Sequence, residues 1–319
     1  MTPNTADDTG AGDCRVECPR LPEETGAEGR PPLEVRHQFV VANGLRFHCV
    51  EAGSGPLVLL QHGFPEFWYG WRHQIPALAQ RFRVVAPDLR GYNLSDKPSG
   101  FSRLDTLVGD VAGLIVALGE ERATVVGHDW GGVIAWATSM WVPSRVERLV
   151  ILNAPHLGAY LRELRGRWRQ RPRSWYVGLF QLPRLPELML GAGRCRGIGE
   201  MLRASATRRD VFSDTDLDQY RRAMCRPGAL SATLGYYRAL RRTPPWRLAR
   251  LVRPTSAPTL VIWGDRDPAL VPELADGLEA WVPNLRVKHV PDAGHWIQHE
   301  RPELVNRLLV EFLSEGPSP

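Results

Sequence analysis

The chain of 319 residues suits one large α/β domain carrying an insertion, and its 43% hydrophobic and 24% charged residues fit a soluble globular protein with a sizeable core. No apolar run approaches the ~20 residues needed to span a bilayer, which excludes a transmembrane helix. The net charge of +5 hides an asymmetry: residues 158–254 hold 21 Arg against 7 Asp and Glu, so the remainder is net negative. A basic half can mark nucleic-acid or membrane contact. No nucleic-acid motif accompanies this one, and its arginines are scattered among helical apolar positions, so a solvated helical face is expected.

The first 34 residues, rich in Gly, Pro, Thr and acids, read as a disordered tail. They lack the basic start and apolar stretch of a signal peptide. Cys14 and Cys18 in the tail, with Cys49, Cys195 and Cys225, form an odd set without paired spacing, which favours free thiols in a reducing, cytoplasmic setting.

Patterning begins at residue 35. "HQFVVA" and "LRFHCVE" flank Asn43-Gly44, a two-residue hairpin signal. "PLVLLQHG" reads as a buried strand, residues 70–80 as a helix and "RFRVVAPD" as a strand. "LDTLVGDVAGLIVALG" has helical spacing with Asp105 near its start. "RATVVG" is a strand, residues 131–140 a helix and "RVERLVILNAP" a strand. Residues 158–254 then carry only helical stretches, broken by Pro172, Pro183, Pro186, Pro227, Pro244 and Pro245. Strands resume at "APTLVIWGD" and "LRVKHV", before an amphipathic helix from about Pro302 to Leu313. The alternation predicts a parallel sheet covered on both faces and interrupted by a helical insertion.

Four motifs carry chemistry. In "GHDWGG", Gly127, Asp129 and Gly131 fit a nucleophile elbow, although Asp129 could equally cap the helix that follows. "QHGFPEFW" places a glycine-proline loop after a strand, where the Phe64 backbone N–H could pair with that of Trp130 to hold an anion. "WGDRDPAL" offers Asp265 and Asp267 as carboxylates able to orient a histidine, and "DAGHW" supplies His295. The chain order is nucleophile, acid, histidine.

On these motifs, over residues 35–314, the chain resembles the epoxide hydrolases of the α/β-hydrolase fold. The resemblance implies an eight-stranded, mostly parallel sheet with a helical cap inserted after the sixth strand: core 35–157 and 255–314, cap 158–254. It implies Asp129 as nucleophile, His295 as base and Asp267 as its orienting partner, with Asp265 the rival for that role. It also implies two cap tyrosines as acids. "WYVGLFQ" gives Tyr176 and "GYYRAL" gives Tyr237, with Tyr236 a competitor because Gly235-Tyr236 stands where Asn-Trp is expected.

The residue types suit such a reaction. A carboxylate, with a reference pKa near ~4, attacks without a base, and the ester it forms can be hydrolysed, unlike the ether a serine would leave. Neutral phenols can donate to the two lone pairs of an oxirane oxygen. No cofactor or metal is required; the expected partners are a small epoxide and water, with the protein a monomer or homodimer. Two rival readings stand beside this one. A haloalkane or haloacid dehalogenase would have no evident use for two cap tyrosines, and Phe64 stands where many haloalkane dehalogenases have Asn. A catalytically silent binding protein would be signalled by a missing triad member, and none is missing.

Overall fold

A computed structural model describes residues 33–166 and 169–315, so the expected tail, with Cys14 and Cys18, lies outside the described residues except for Leu33 and Glu34. The strands are β1 (Val35–Ala42), β2 (Leu45–Ala52), β3 (Leu57–Gln61), β4 (Arg83–Pro87), β5 (Ala123–His128), β6 (Val146–Leu152), β7 (Thr259–Gly264) and β8 (Leu285–Val290). They form one eight-stranded sheet in the order β1-β2-β4-β3-β5-β6-β7-β8. β2 runs antiparallel to β1 and β4, and every other neighbouring pair is parallel. The central strands β3, β5 and β7 are buried at every residue, as continuous apolar runs predict for a sheet covered on both faces. The edge strand β8 alternates instead. The β1–β2 hairpin turns at Asn43 and Gly44, both at positive φ, as its turn chemistry requires.

The core helices before the insertion are α1 (Gln74–Leu78), α2 (Leu104–Ala117) and α3 (Trp130–Trp141). The helix expected over 70–80 is thus a 3-10 turn at Trp68–Trp71 followed by the short α1. Between β6 and β7 the described residues hold helices and no strand: α4 (Leu157–Gly166), α5 (Gln170–Arg173), α6 (Trp175–Leu179), α7 (Leu185–Ser205), α8 (Asp214–Met224), α9 (Ala229–Arg242) and α10 (Pro245–Arg250). We take this stretch as the cap. The short α11 (Ile297–Glu300) and α12 (Pro302–Ser314) close the core. Prolines do not all act as breakers here. Pro186, Pro245 and Pro302 sit in the first turn of α7, α10 and α12, where a missing N–H is harmless.

The cysteine reading needs correction. Cys195 and Cys225 are joined as a disulfide, with Cα atoms 5.8 Å apart. Cys195 lies at a break within α7 where Gly193, Arg194 and Cys195 all adopt positive φ, and Cys225 follows the last turn of α8. The pair is 30 residues apart in sequence and meets because the two helices pack together, so no local spacing announces it. Cysteine usage therefore gives no support for a reducing compartment. No helix among the described residues is long and apolar enough to cross a membrane.

Candidate active site

The site is assembled at the carboxyl ends of the strands, beneath the cap. β5 runs straight into α3 through Asp129, whose φ of 48° is unfavourable for a residue with a side chain. The turn is possible because its neighbours are glycines. A Cβ on Gly131 would lie 2.1 Å from the Gln61 carbonyl oxygen, and one on Gly63 would lie 2.4 Å from the Asp129 Cβ. Asp129 precedes α3, yet its side chain makes no capping bond to that helix. Its Oδ1 instead accepts from the Phe64 backbone N–H at 2.8 Å. His62 fixes the loop bearing Phe64: its Nδ1 donates to the Gly63 carbonyl, and its Nε2 accepts from the Leu89 N–H, each at 3.0 Å. The Trp130 N–H, in the first turn of α3, belongs to the donors a helix leaves without a carbonyl four residues back.

His295 stands on the loop after β8, with Nε2 3.7 Å from Asp129 Oδ2 and Nδ1 2.7 Å from Asp267 Oδ2. Burial alone would lower its pKa, but the Asp267 carboxylate, helped by Asp129 and Glu66, holds it up at about 9. Asp267 is buried, which opposes ionisation. His295, the Asn153 amide and the Ala269 and Leu270 N–H groups all donate to it and keep its carboxyl below the usual range. Asp265, the other candidate orienting acid, faces His289 instead, at 2.6 Å from Nδ1. Its pairing belongs to the β7–β8 surface.

The tyrosines arrive from two cap helices, Tyr176 on α6 and Tyr237 on α9, with ring centroids 6.0 Å apart and edge to face. Tyr237 also packs edge to face on Trp130 at 5.1 Å and on Phe64 at 5.7 Å, so it lies over the elbow and its facing loop. Burial, with the Asp129 charge adding to it, pushes both phenols well above the usual range. Gln181 links the two helices, donating to the Val177 carbonyl at 2.9 Å and the Tyr237 carbonyl at 3.3 Å. Tyr236 points elsewhere: its hydroxyl donates to the Arg90 carbonyl at 2.7 Å.

Sequence reasoning missed a buried network beneath the elbow. Glu66 is fully buried, lying 3.0 Å from His128 Nδ1 and 2.7 Å from His299 Nε2, with Gln298 donating at 3.2 Å. Burial works against its ionisation, but the two histidines more than compensate and hold it far below the usual carboxylate range. His128 donates from Nε2 to the His295 carbonyl at 2.8 Å, tying the residue before Asp129 to the histidine loop. The network continues through Arg72, which pairs with Asp216 on α8 at 3.2 Å, and so reaches the cap. Asn153, which bridges Gly264 and Asp267, was also missed. The available signal was a charged or amide residue beside apolar runs: Glu66 in "FPEFW", His128 in "VVGH" and Asn153 in "VILNAP".

Residues 56–302 match the family profile described as alpha/beta hydrolase fold. The AB hydrolase superfamily protein YfhM of Bacillus subtilis (strain 168) is 42% identical over 284 residues, covering 88% of this chain and 98% of that protein. Epoxide hydrolase 4 of Mus musculus is 35% identical over 282 residues, covering 86% of this chain and 77% of that protein. Among solved structures, a Bacillus megaterium epoxide hydrolase in complex with an inhibitor superposes with a TM-score of 0.82 at 35% identity, covering 87% of this chain and 100% of that one. The sheet order and these likenesses agree, and the chain belongs to the epoxide hydrolases of the α/β-hydrolase fold family.

Proposed function

We propose that this enzyme opens an oxirane to a vicinal diol through an ester at Asp129, which a water activated by His295 then hydrolyses. The observation that carries the reading is one carboxylate held between a backbone donor and an imidazole, with two neutral phenols above it. Asp129 Oδ2 attacks an oxirane carbon. As the carbon–oxygen bond of the ring breaks, the departing oxygen takes a proton from Tyr176 or Tyr237. Oδ1, already held by the Phe64 N–H, becomes the ester carbonyl oxygen. In the second step His295 takes a proton from water and the oxygen of that water adds to the Asp129 carbonyl carbon. The oxyanion is held by the Phe64 and Trp130 N–H groups; as it collapses the leaving alkoxide takes a proton from the His295 imidazolium to give the diol, and the Asp129 carboxyl passes its proton back to the tyrosinate, which restores the carboxylate.

The charge state of His295 supports a built-in order of events. With Asp129 ionised, a pKa of about 9 keeps the imidazole protonated at neutral pH and unfit to act as a base. Ester formation removes one of the two carboxylate charges facing it, so its pKa falls and the base appears only when needed. In single-turnover experiments the decay of the alkyl-enzyme should therefore rise with pH and level off with an apparent pKa below about 9. A midpoint at or above that value would contradict this sequence.

Oxygen tracing tests the covalent step. In one turnover with enzyme in excess, in water enriched in heavy oxygen, the diol should leave largely unlabelled and the peptide containing Asp129 should gain the label. Labelled diol with an unlabelled peptide would mean that water attacks the oxirane directly. The dehalogenase reading is tested by halide release from alkyl halides, which should be absent.

A further inference from the structure

Eleven large hydrophobic side chains are exposed on the described surface, and five of them fall between residues 175 and 189: Trp175, Leu182, Leu185, Leu188 and Met189. Their exposure ranges from 43% to 69%, so each of the five is substantially uncovered. Leu185, Leu188 and Met189 stand three and four positions apart at the start of α7, on one side of the helix. The opposite side is the one that packs: Pro186 is buried, Glu187 pairs with Arg238 of α9 at 2.6 Å, and a Cβ on Gly191 would meet Leu230. The segment's amphipathicity is thus doubled, with one apolar face spent on the cap and another turned outward.

The exposed charge on this segment is basic. Among the described arginines from residue 169 to residue 199, Arg169 pairs with Glu273, Arg196 with Glu200, and Arg173 donates to the Asp267 and Leu270 carbonyls, while the single acid, Glu187, is taken by Arg238. Arg171, Arg184 and Arg194 are exposed, and Arg184 stands between Leu182 and Leu185. A second copy of this chain docking by the same face would bring these arginines against themselves. Nucleic acid would meet three leucines, a methionine and a single indole, where stacking of successive bases needs several aromatic rings. A lipid surface satisfies both features, because aliphatic chains and an indole enter the interface while guanidinium groups reach anionic headgroups.

We propose that the face formed by Trp175, Leu182, Leu185, Leu188 and Met189 seats the cap on an anionic lipid surface. Trp175 lies on the same short helix as Tyr176, so docking brings the lipid beside the reacting centre, where apolar epoxides dissolved in a bilayer are concentrated. That placement rests on the function proposed above; the docking itself does not.

The full chain should sediment with phosphatidylcholine vesicles containing about a third phosphatidylserine, bind pure phosphatidylcholine much more weakly, and be released by high salt. Leu188→Asp/Met189→Asp should reduce binding at least roughly tenfold. Turnover of a short water-soluble epoxide should stay unchanged, which reports an intact fold, and Leu188→Ala/Met189→Ala should give an intermediate loss. Wild-type protein that stays in solution with anionic vesicles overturns the proposal, as does equal binding of the aspartate variant. Concentration-dependent dimerisation abolished by the aspartate variant, without vesicle binding, would assign the face to a second copy instead. Because binding is read without turnover, an inactive epoxide site would leave this test intact.

Discussion

His295→Gln, mixed with an epoxide substrate, should accumulate protein heavier by the mass of one substrate while steady turnover falls roughly 100- to 10,000-fold, the range supplied by general acid–base catalysis. The reason lies in the division of labour across the site. On the proposed mechanism, Asp129 keeps its Phe64 donor in this variant and can still attack, but nothing takes the proton from the hydrolytic water. Intact mass spectrometry reads the outcome directly. An unmodified mass, with substrate shown to bind, would place His295 in the first step and not the second. The same variant carries a stability signature. Because the folded-state pKa of His295 is raised from 6.5 to about 9, its ion pair contributes fully below pH 6.5, and the contribution is lost as pH rises through about 9. The amount is on the order of 3 kcal/mol. Wild-type stability should decline across that window, and His295→Gln should lack the decline. Asp267 keeps its hydrogen bonds from Asn153, Ala269 and Leu270 in the variant, so the fold should survive the change.

The other large effect concerns the phenols. Tyr176→Phe and Tyr237→Phe should each slow ester formation, and the double substitution should slow it toward the upper part of the ~100- to 10,000-fold range. On the proposed mechanism either hydroxyl alone protonates the opened oxygen, so the singles should be far milder than the pair. Both phenols are held well above their ordinary range by burial and by the Asp129 charge, which keeps them neutral and able to donate. Rapid-quench measurement of alkylation separates this step from hydrolysis. A double variant that alkylates at the wild-type rate would remove the tyrosines from the chemistry. Tyr236→Phe is the control, since that hydroxyl is committed to the Arg90 carbonyl and its loss should leave alkylation intact.

What sequence alone conveys here depends on whether the cause is local. β3, β5 and β7 are readable because a strand buried on both faces must be a continuous apolar run. The elbow is readable because only glycine fits at Gly127 and Gly131, two residues to either side of Asp129. The choice between Asp265 and Asp267 is not local. Both lie at the end of β7, and the separation is made by where His289 and His295 stand in space. The Glu66–His128–His299 cluster is hidden for the same reason, its members meeting only once β3, β5 and α11 are assembled. The Cys195–Cys225 pair and the break in α7 likewise follow from helix packing that no periodicity encodes. The run of arginines misleads in a further way: composition reports charge but not that the neighbouring leucines face outward.

The backbone at Asp129 sets a standing tension in the history of this chain. A φ of 48° in a residue with a Cβ carries a penalty of about 1–3 kcal/mol, and glycine would relieve it. The residue that makes the fold most comfortable at this position is therefore not the one that the proposed reaction needs. Asp129→Gly should therefore give a sturdier protein that lacks the proposed reaction.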